Sequence, residues 1–159
     1  MRGSVEVHNY LMERDIPHEL VPSRGRLRWP KRMAAILGLR PDQVGRVVIF
    51  EAAGPPVAAV VPSGGEPDPM RLAKAVGRPS VNKVDESHAS GLTEYLPESI
   101  PPVGLPEPFT VVLDESLNRD EVLYFPGGEP RSVLKIRGTD LARATGAKVA
   151  PILFHWPGE

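Results

Sequence analysis

Two apolar runs separated by a turn form the clearest pattern in this chain. Residues 43–62 read QVGRVVIFEAAGPPVAAVVP, in which VVIF and VAAVV flank AAGPP. Short apolar runs around Gly and Pro predict a strand–turn–strand unit. Arg46 begins the first run, and because strand residues alternate faces it should point the same way as Val44, Val48 and Phe50. A guanidinium in that position needs either an internal carboxylate or an anionic ligand, and the sequence leaves both open.

The rest of the chain predicts interleaved helices and strands, joined by both hairpins and crossovers. Helices are expected at 5–14 with Ser4 as N-cap, from about Pro30 to Gly38, at 69–76 between Asp68 and Gly77, for one turn from Asp85 to Ala89, and at 140–145 capped by Thr139. Strands are expected at 18–21, 81–84, 109–113, 121–125 and 132–136. The proline-rich stretch 91–108 predicts a long loop, of a length that is usually functional or disordered. This order predicts an α/β fold with a mixed sheet and helices packed on it.

Bulk composition narrows the class of protein. A chain of 159 residues is expected to form one domain, spanning 1–159. The net charge of −1 gives no global attraction to nucleic acid, and the absence of Cys removes thiol chemistry and disulfides. Neither a signal peptide nor an apolar stretch of membrane-spanning length is found, so we expect a soluble, cytoplasmic protein with no membrane partner. The high Pro and Arg content fits either a heat-adapted protein or a GC-rich genome.

Common catalytic motifs are missing. The four histidines show no ligand spacing, so neither a metal site nor another cofactor is predicted. No nucleophile elbow, P-loop or dinucleotide-binding motif occurs. Ser63-Gly64-Gly65 precedes a predicted helix, but Glu66 and Asp68 would repel a phosphate, which favours a simple turn.

One segment has the composition of a nucleic-acid contact. SRGRLRWPKR, at 23–32, holds five basic residues and no acidic ones, with Trp29 among Arg24, Arg26, Arg28 and Lys31. Clustered cations beside one aromatic suit phosphate contact with base stacking. The alternative is a solvated basic loop whose Trp29 packs on the core, and the pattern alone favours that alternative.

Two further positions have structural and functional interpretations. Pro126-Gly127-Gly128 is an ordinary tight turn, or a place where a ligand approaches the backbone closely. Asp114 ends an apolar strand as a turn cap, or pairs with Arg46 and gives that arginine a structural role.

Together these pieces resemble the YbaK/prolyl-tRNA-synthetase-associated family of aminoacyl-tRNA editing domains. The resemblance rests on AAILGLRPDQVGRVVIF, VAAVVP, RLAKAVG, TEYLPESIPPVG and VVLDESL followed by VLYFPGG, and it covers nearly the whole chain. It implies an open, barrel-like mixed β-sheet surrounded by helices. It also implies hydrolysis of the ester between a wrong amino acid and the terminal adenosine of tRNA.

The resemblance also assigns roles to residues. Arg46 lies where the family has its near-invariant lysine, and the family's Gly-x-x-x-Pro loop falls on Glu98-Ser99-Ile100-Pro101-Pro102 with Gly104 following. Glu98 thus replaces a glycine, as does Glu94 in the Thr-Gly-Tyr pattern. We expect catalytic roles for Arg46, Glu98 and Ser99. Substrate contacts are expected from Trp29, Ile100, Pro101, Pro102, Gly104, Gly127 and Gly128, and tRNA contacts from Arg24, Arg26, Arg28 and Lys31.

Three interpretations follow. The first is a trans-editing deacylase whose partners are the 3′ acceptor end of a mischarged tRNA and an aminoacyl-tRNA synthetase. The second is a family member that binds tRNA or aminoacyl-adenosine without hydrolysis. The third is a structural Arg46–Glu98 or Arg46–Asp114 pair over an empty pocket. The edited amino acid and the oligomeric state do not follow from the sequence.

Overall fold

Helices and strands are interleaved along the chain, as the sequence predicts. The computed structural model describes residues 1–23, 25 and 33–154. In that part of the chain the helices are α1 (Ser4–Glu13), α2 (Met33–Leu37), α3 (Pro69–Val76), α4 (Glu86–Thr93) and α5 (Gly138–Thr145). The strands are β1 (Glu19–Pro22), β2 (Gly45–Glu51), β3 (Val57–Pro62), β4 (Asn82–Lys83), β5 (Thr110–Asp114), β6 (Val122–Pro126), β7 (Ser132–Arg137) and β8 (Lys148–Ala150).

The strands form two sheets. A three-stranded antiparallel sheet has the order β1-β7-β6, and a five-stranded mixed sheet has the order β4-β2-β3-β5-β8. In the larger sheet β2 is antiparallel to β3 and β4, whereas β3, β5 and β8 are parallel. A parallel bridge between Val44 and Tyr124 links the start of β2 to the smaller sheet. The mixed α/β fold predicted from the sequence is confirmed.

The core lies on both faces of the larger sheet. One apolar cluster joins α1, α4 and α5 to the inner faces of both sheets and includes Leu11, Ile49 and Leu141. A second cluster packs Leu72 of α3 against the other face, which carries Val48 and Phe50. All residues of β3 up to Val61 are buried because that strand has a neighbour on each side and apolar contacts on both faces.

Local signals located some helix ends correctly and missed others. α3 begins after Asp68, whose carboxylate accepts from the Met70 N–H at 2.9 Å, and it ends at Gly77 with φ of 69°, as predicted. The predicted Ser4 cap of α1 is wrong: Gly3 is the N-cap, and its N–H donates to the Glu6 carboxylate at 3.0 Å.

The predicted Thr139 cap of α5 is also wrong, because the helix already begins at Gly138. A Cβ at Gly138 would lie 1.9 Å from the carbonyl oxygen of Leu117. Only glycine permits that close approach, so the helix starts where the chain touches its neighbour and not where a hydroxyl is available.

The predicted long loop after Gly91 is shorter and more ordered than expected. Asp85 caps α4 as predicted, but the helix continues past Ala89 to Thr93 and ends at Glu94 with φ of 64°. The following chain contains a 3-10 turn at Pro97–Ser99 and is anchored by buried Tyr95, whose hydroxyl donates to the Gly104 carbonyl at 2.7 Å. β8 was not predicted, since it is three residues long and mostly exposed.

No helix within the described ranges has the length and apolar character needed to cross a membrane.

Candidate functional site

A cavity of about 550 Å³ lies beside β2. Its wall is formed by β2, by β4 and the start of α4, by the turn at Pro97–Ser99, and by the end of β6. The apolar lining residues are Val47, Val48, Ile49, Val84, Ala89, Pro97, Ile100 and Pro126. The charged ones are Arg46, Lys83, Asp85, Glu86 and Glu98. The wall is therefore mixed, with an apolar part and several charged groups, and its volume is typical of a small-molecule site.

The cavity exists because β2 is paired unequally at its two edges. One edge pairs with β3 along the whole strand, from Gly45 to Phe50. The other edge pairs with β4 at Phe50 and Glu51. From Arg46 to Ile49 that second edge, here called the open edge, borders the cavity instead of a strand.

Arg46 is held by the turn that follows β3. Its Nε donates to the Ser63 carbonyl at 3.1 Å, and one Nη donates to the Gly65 carbonyl at 2.8 Å and to the Glu66 carboxylate at 3.2 Å. The side chain is 16% exposed. Burial lowers the pKa of the guanidinium, while the charge of Glu66 raises it, and a guanidinium remains protonated in proteins.

Arg46 therefore has the internal carboxylate that the sequence left open, but neither of the predicted ones. Asp114 accepts from Ser116 and from the Ile152 N–H, and caps the end of β5. Its proposed pairing with Arg46 is wrong, because the carboxylate holds its own turn and the backbone of Ile152, two residues after β8. The two N–H groups of the other Arg46 Nη make no hydrogen bond to a described residue, so part of the fork remains for a ligand.

The loop equivalent to Gly-x-x-x-Pro contributes to the cavity through alternate residues. Glu98 and Ile100 line it, and Ile100 is buried. Ser99 is 1% exposed, does not line the cavity, and its Oγ has no hydrogen-bond partner among the described residues. Glu98 has no positive φ, so replacing the family's glycine imposes no backbone strain there. Glu94, in contrast, adopts the left-handed conformation that a glycine would favour.

Several glycines and prolines predicted to contact substrate shape the surrounding chain instead of the cavity wall. Gly104 has φ of 72°, and its Cβ would meet the Tyr95 hydroxyl at 3.0 Å. Pro101 and Pro102 are buried beside it without lining the cavity. Gly127 and Gly128 press against Ser132 and the backbone of Gly3, where a Cβ would come within 2.5 Å and 3.0 Å. These residues fix the loop and the turn in place.

Sequence reasoning missed the contribution of β4 and α4. Lys83, Val84, Asp85, Glu86 and Ala89 all line the cavity. The capping signal at Asp85 located the helix start, but nothing local indicated that β4 pairs with the end of β2 and brings the helix to the cavity. Counting only described residues, the wall has two cations and three carboxylates and so no excess of positive charge.

Other predicted groups lie elsewhere. Trp29, Arg24, Arg26, Arg28 and Lys31 lie outside the described residues. Among residues 1–23, 25 and 33–154, no three His, Cys, Asp or Glu side chains come together in a way that could hold a metal ion.

Comparison with known proteins gives a consistent result. The model of the aminoacyl-tRNA editing domain family matches residues 28–144. Among solved structures, the hypothetical protein APE2540 is 26% identical, with 94% of this chain and 99% of that chain covered and a TM-score of 0.87. A structure described as a candidate trans-editing enzyme for prolyl tRNA synthetase is 23% identical, with 96% and 97% covered and a TM-score of 0.82, and this likeness concerns the fold.

Proposed function

Because this chain belongs to the aminoacyl-tRNA editing domain family, we propose that it hydrolyses the ester of a mischarged tRNA in trans. The observation that carries the proposal is the cavity itself. It brings together β2, which carries Arg46, and the segment that holds Glu98 and Ile100, two segments separated by about fifty residues of chain. These are the two segments in which the sequence resembles the family's site.

The wall suits an aminoacyl group attached to a ribose. Ile49, Ala89 and Ile100 offer an apolar surface to the amino-acid side chain, and Arg46 and Lys83 offer cations to the substrate carbonyl or the terminal phosphate. The volume lies within the roughly 300–1,000 Å³ that small-ligand sites occupy. The basic residues Arg24, Arg26, Arg28 and Lys31 would contact the acceptor end of the tRNA, and Trp29 would close the pocket.

The reaction would be direct attack of water on the ester carbonyl. Arg46 stays protonated and acts as a fixed positive charge, not as an acid or base. Glu98 has two roles open to it, as a base that takes a proton from water or as a partner of the substrate's ammonium group. The substrate's own ribose hydroxyl can orient the water.

The test is a deacylation assay across a panel of mischarged tRNAs, with Arg46→Gln beside the wild type. Arg78→Gln is the matched control, because Arg78 is a part-buried arginine that also donates to a backbone carbonyl, that of Pro55, and does not line the cavity. We expect loss of release in Arg46→Gln and retention in Arg78→Gln. No release above background from any tRNA by the wild type would contradict the catalytic proposal.

One observation favours a second function, binding without turnover. Glu66 and two carbonyls already occupy three of the five donors of Arg46, so the charge available to a transition state is reduced. In that case the wild type binds tRNA with an affinity that falls as salt rises, and Arg46→Lys with Glu98→Gly creates hydrolysis. A tRNA affinity that does not change with salt concentration would exclude this second function.

A further inference from the structure

The direction of each backbone group of β2 follows from two hydrogen bonds at its ends. The Val44 carbonyl accepts from the Ser63 N–H at 2.7 Å, on the side of β3. The Ile49 carbonyl accepts from the Val84 N–H at 3.2 Å, on the side of β4. In an antiparallel strand both backbone groups of a residue point to one edge and those of the next residue to the other. The N–H and C=O of Val47 therefore point to the open edge.

These two groups have no strand to pair with. β4 reaches only Phe50 and Glu51, three residues further along. Val47 lines the cavity, and neither the pairing of β2 with β4 nor the bridge from Val44 to Tyr124 extends to it. Backbone polar groups in a protein are satisfied by protein, water or ligand, so those of Val47 are available to whatever fills the cavity.

An aminoacyl ester carries the complementary pair of groups. Its α-nitrogen and carbonyl oxygen belong to one amino-acid residue, and two such residues exchange both hydrogen bonds in the bonded pairs of an antiparallel sheet. We propose, on the basis of the proposed function, that the aminoacyl group docks as a one-residue strand opposite Val47. The ammonium donates to the Val47 carbonyl, and the Val47 N–H donates to the ester carbonyl.

This docking gives Val47 a part in the reaction. Water forms a bond to the carbonyl carbon, and the π electrons move to the carbonyl oxygen, where the Val47 N–H stabilises the negative charge. Collapse returns that pair and breaks the bond to the ribose oxygen, which takes the proton that water has lost. The products are the free amino acid and a tRNA with its hydroxyl restored.

Two consequences for specificity follow. Recognition through backbone groups is independent of the amino-acid side chain, so the apolar wall at Ile49, Ala89 and Ile100 sets the preference for side-chain size. An acyl group without an α-nitrogen loses one of the two hydrogen bonds. Simple carboxylic esters of tRNA are therefore poor substrates.

Nuclear magnetic resonance on ¹⁵N-labelled protein detects binding of the aminoacyl group at Val47 without requiring hydrolysis. The probe is 3′-alanylamino-3′-deoxyadenosine, whose amide resists hydrolysis, and its counterpart is the 3′-propionylamino analogue, which lacks the amino group. We expect the Val47 amide resonance to shift most, the Val48 amide to shift little because Val48 pairs with Ala59, and the propionyl analogue to bind about 10-fold more weakly. Equal binding of the two analogues, shifts that spare Val47, or no binding at millimolar probe would overturn the inference.

A backbone substitution tests the catalytic part. Replacing Val47 with its α-hydroxy acid exchanges the N–H for an ester oxygen, and it also makes the Arg46 carbonyl, which pairs with β3, a weaker acceptor. We expect a slightly lower unfolding midpoint, with the protein still folded at the assay temperature, and a loss of about 10²-fold in kcat for deacylation. A rate within about twofold of the wild type would refute the role of Val47, whereas an inactive wild type would refute the proposed function and leave the resonance experiment to decide the docking.

Discussion

Replacing Arg46 with lysine should separate stability from activity. The guanidinium makes three hydrogen bonds to the turn after β3, and a single ammonium on a shorter stem keeps about one of them. Two lost bonds at roughly 0.5–1.5 kcal/mol each predict a free energy of unfolding lower by about 1–3 kcal/mol. For a chain of 159 residues this lowers the melting temperature by about 2–12 °C. The positive charge remains, so deacylation should persist.

Calorimetry or urea unfolding measures the loss of stability in Arg46→Lys, and release of amino acid from a mischarged tRNA measures its deacylation activity. Arg78→Lys is the control, since it loses comparable bonds to Pro55 and Thr110 away from the cavity. It should be destabilised with unaltered activity. Unchanged stability in Arg46→Lys would refute the inference that the fork holds the turn. Full loss of deacylation in a folded Arg46→Lys protein would show that the fork itself contacts the substrate.

Three further predictions concern the helix and the loop beside the cavity. Glu94→Gly relieves a left-handed φ of 64° and should raise the free energy of unfolding by about 0.5–1 kcal/mol. Urea denaturation measures this, and equal free energies of unfolding for Glu94→Gly and Glu94→Ala would contradict the prediction. Burial raises the pKa of the Tyr95 hydroxyl above its ordinary value of 10.0, so the folded state favours the neutral form. That stabilisation is complete below pH 10 or so and is lost as the pH rises further, so thermal unfolding of the wild type should become easier above about pH 10. Tyr95→Phe should lose about 1 kcal/mol at neutral pH, with the bond to Gly104, and show a weaker alkaline dependence. Ala89→Val narrows the cavity and should slow deacylation of tRNAs carrying large amino acids more than of those carrying small ones, and a uniform effect would place Ala89 outside the side-chain subsite.

The sequence predicts an element correctly where the residues that define its ends are close together in the chain. The cap, proline and glycine around α3 occur within ten residues, so its ends were located without reference to the rest of the chain. The apolar runs of β2 and β3 gave the hairpin for the same reason. α5 was misjudged at its start because the close approach of Gly138 to Leu117 depends on tertiary structure.

The candidate site shows the same distinction between features set by nearby residues and features set by tertiary contacts. Arg46, Glu98 and Ile100 were predicted and do meet at one cavity. The local pattern does not identify the partner of Arg46, because Glu66 lies 20 residues away, in a turn whose acidic residues by themselves indicate only that phosphate is repelled.

The unpaired stretch of β2 carries a risk that proteins usually limit. A strand edge with free N–H and C=O groups is a template on which another chain can pair and begin to aggregate. Here the edge lies at the wall of a cavity, where Pro97 and Pro126 also face the ligand space, and proline has no N–H with which to extend a sheet. The walls beside the open edge thus include two residues that cannot extend a sheet, and under the proposed function a single aminoacyl residue is all that this edge receives.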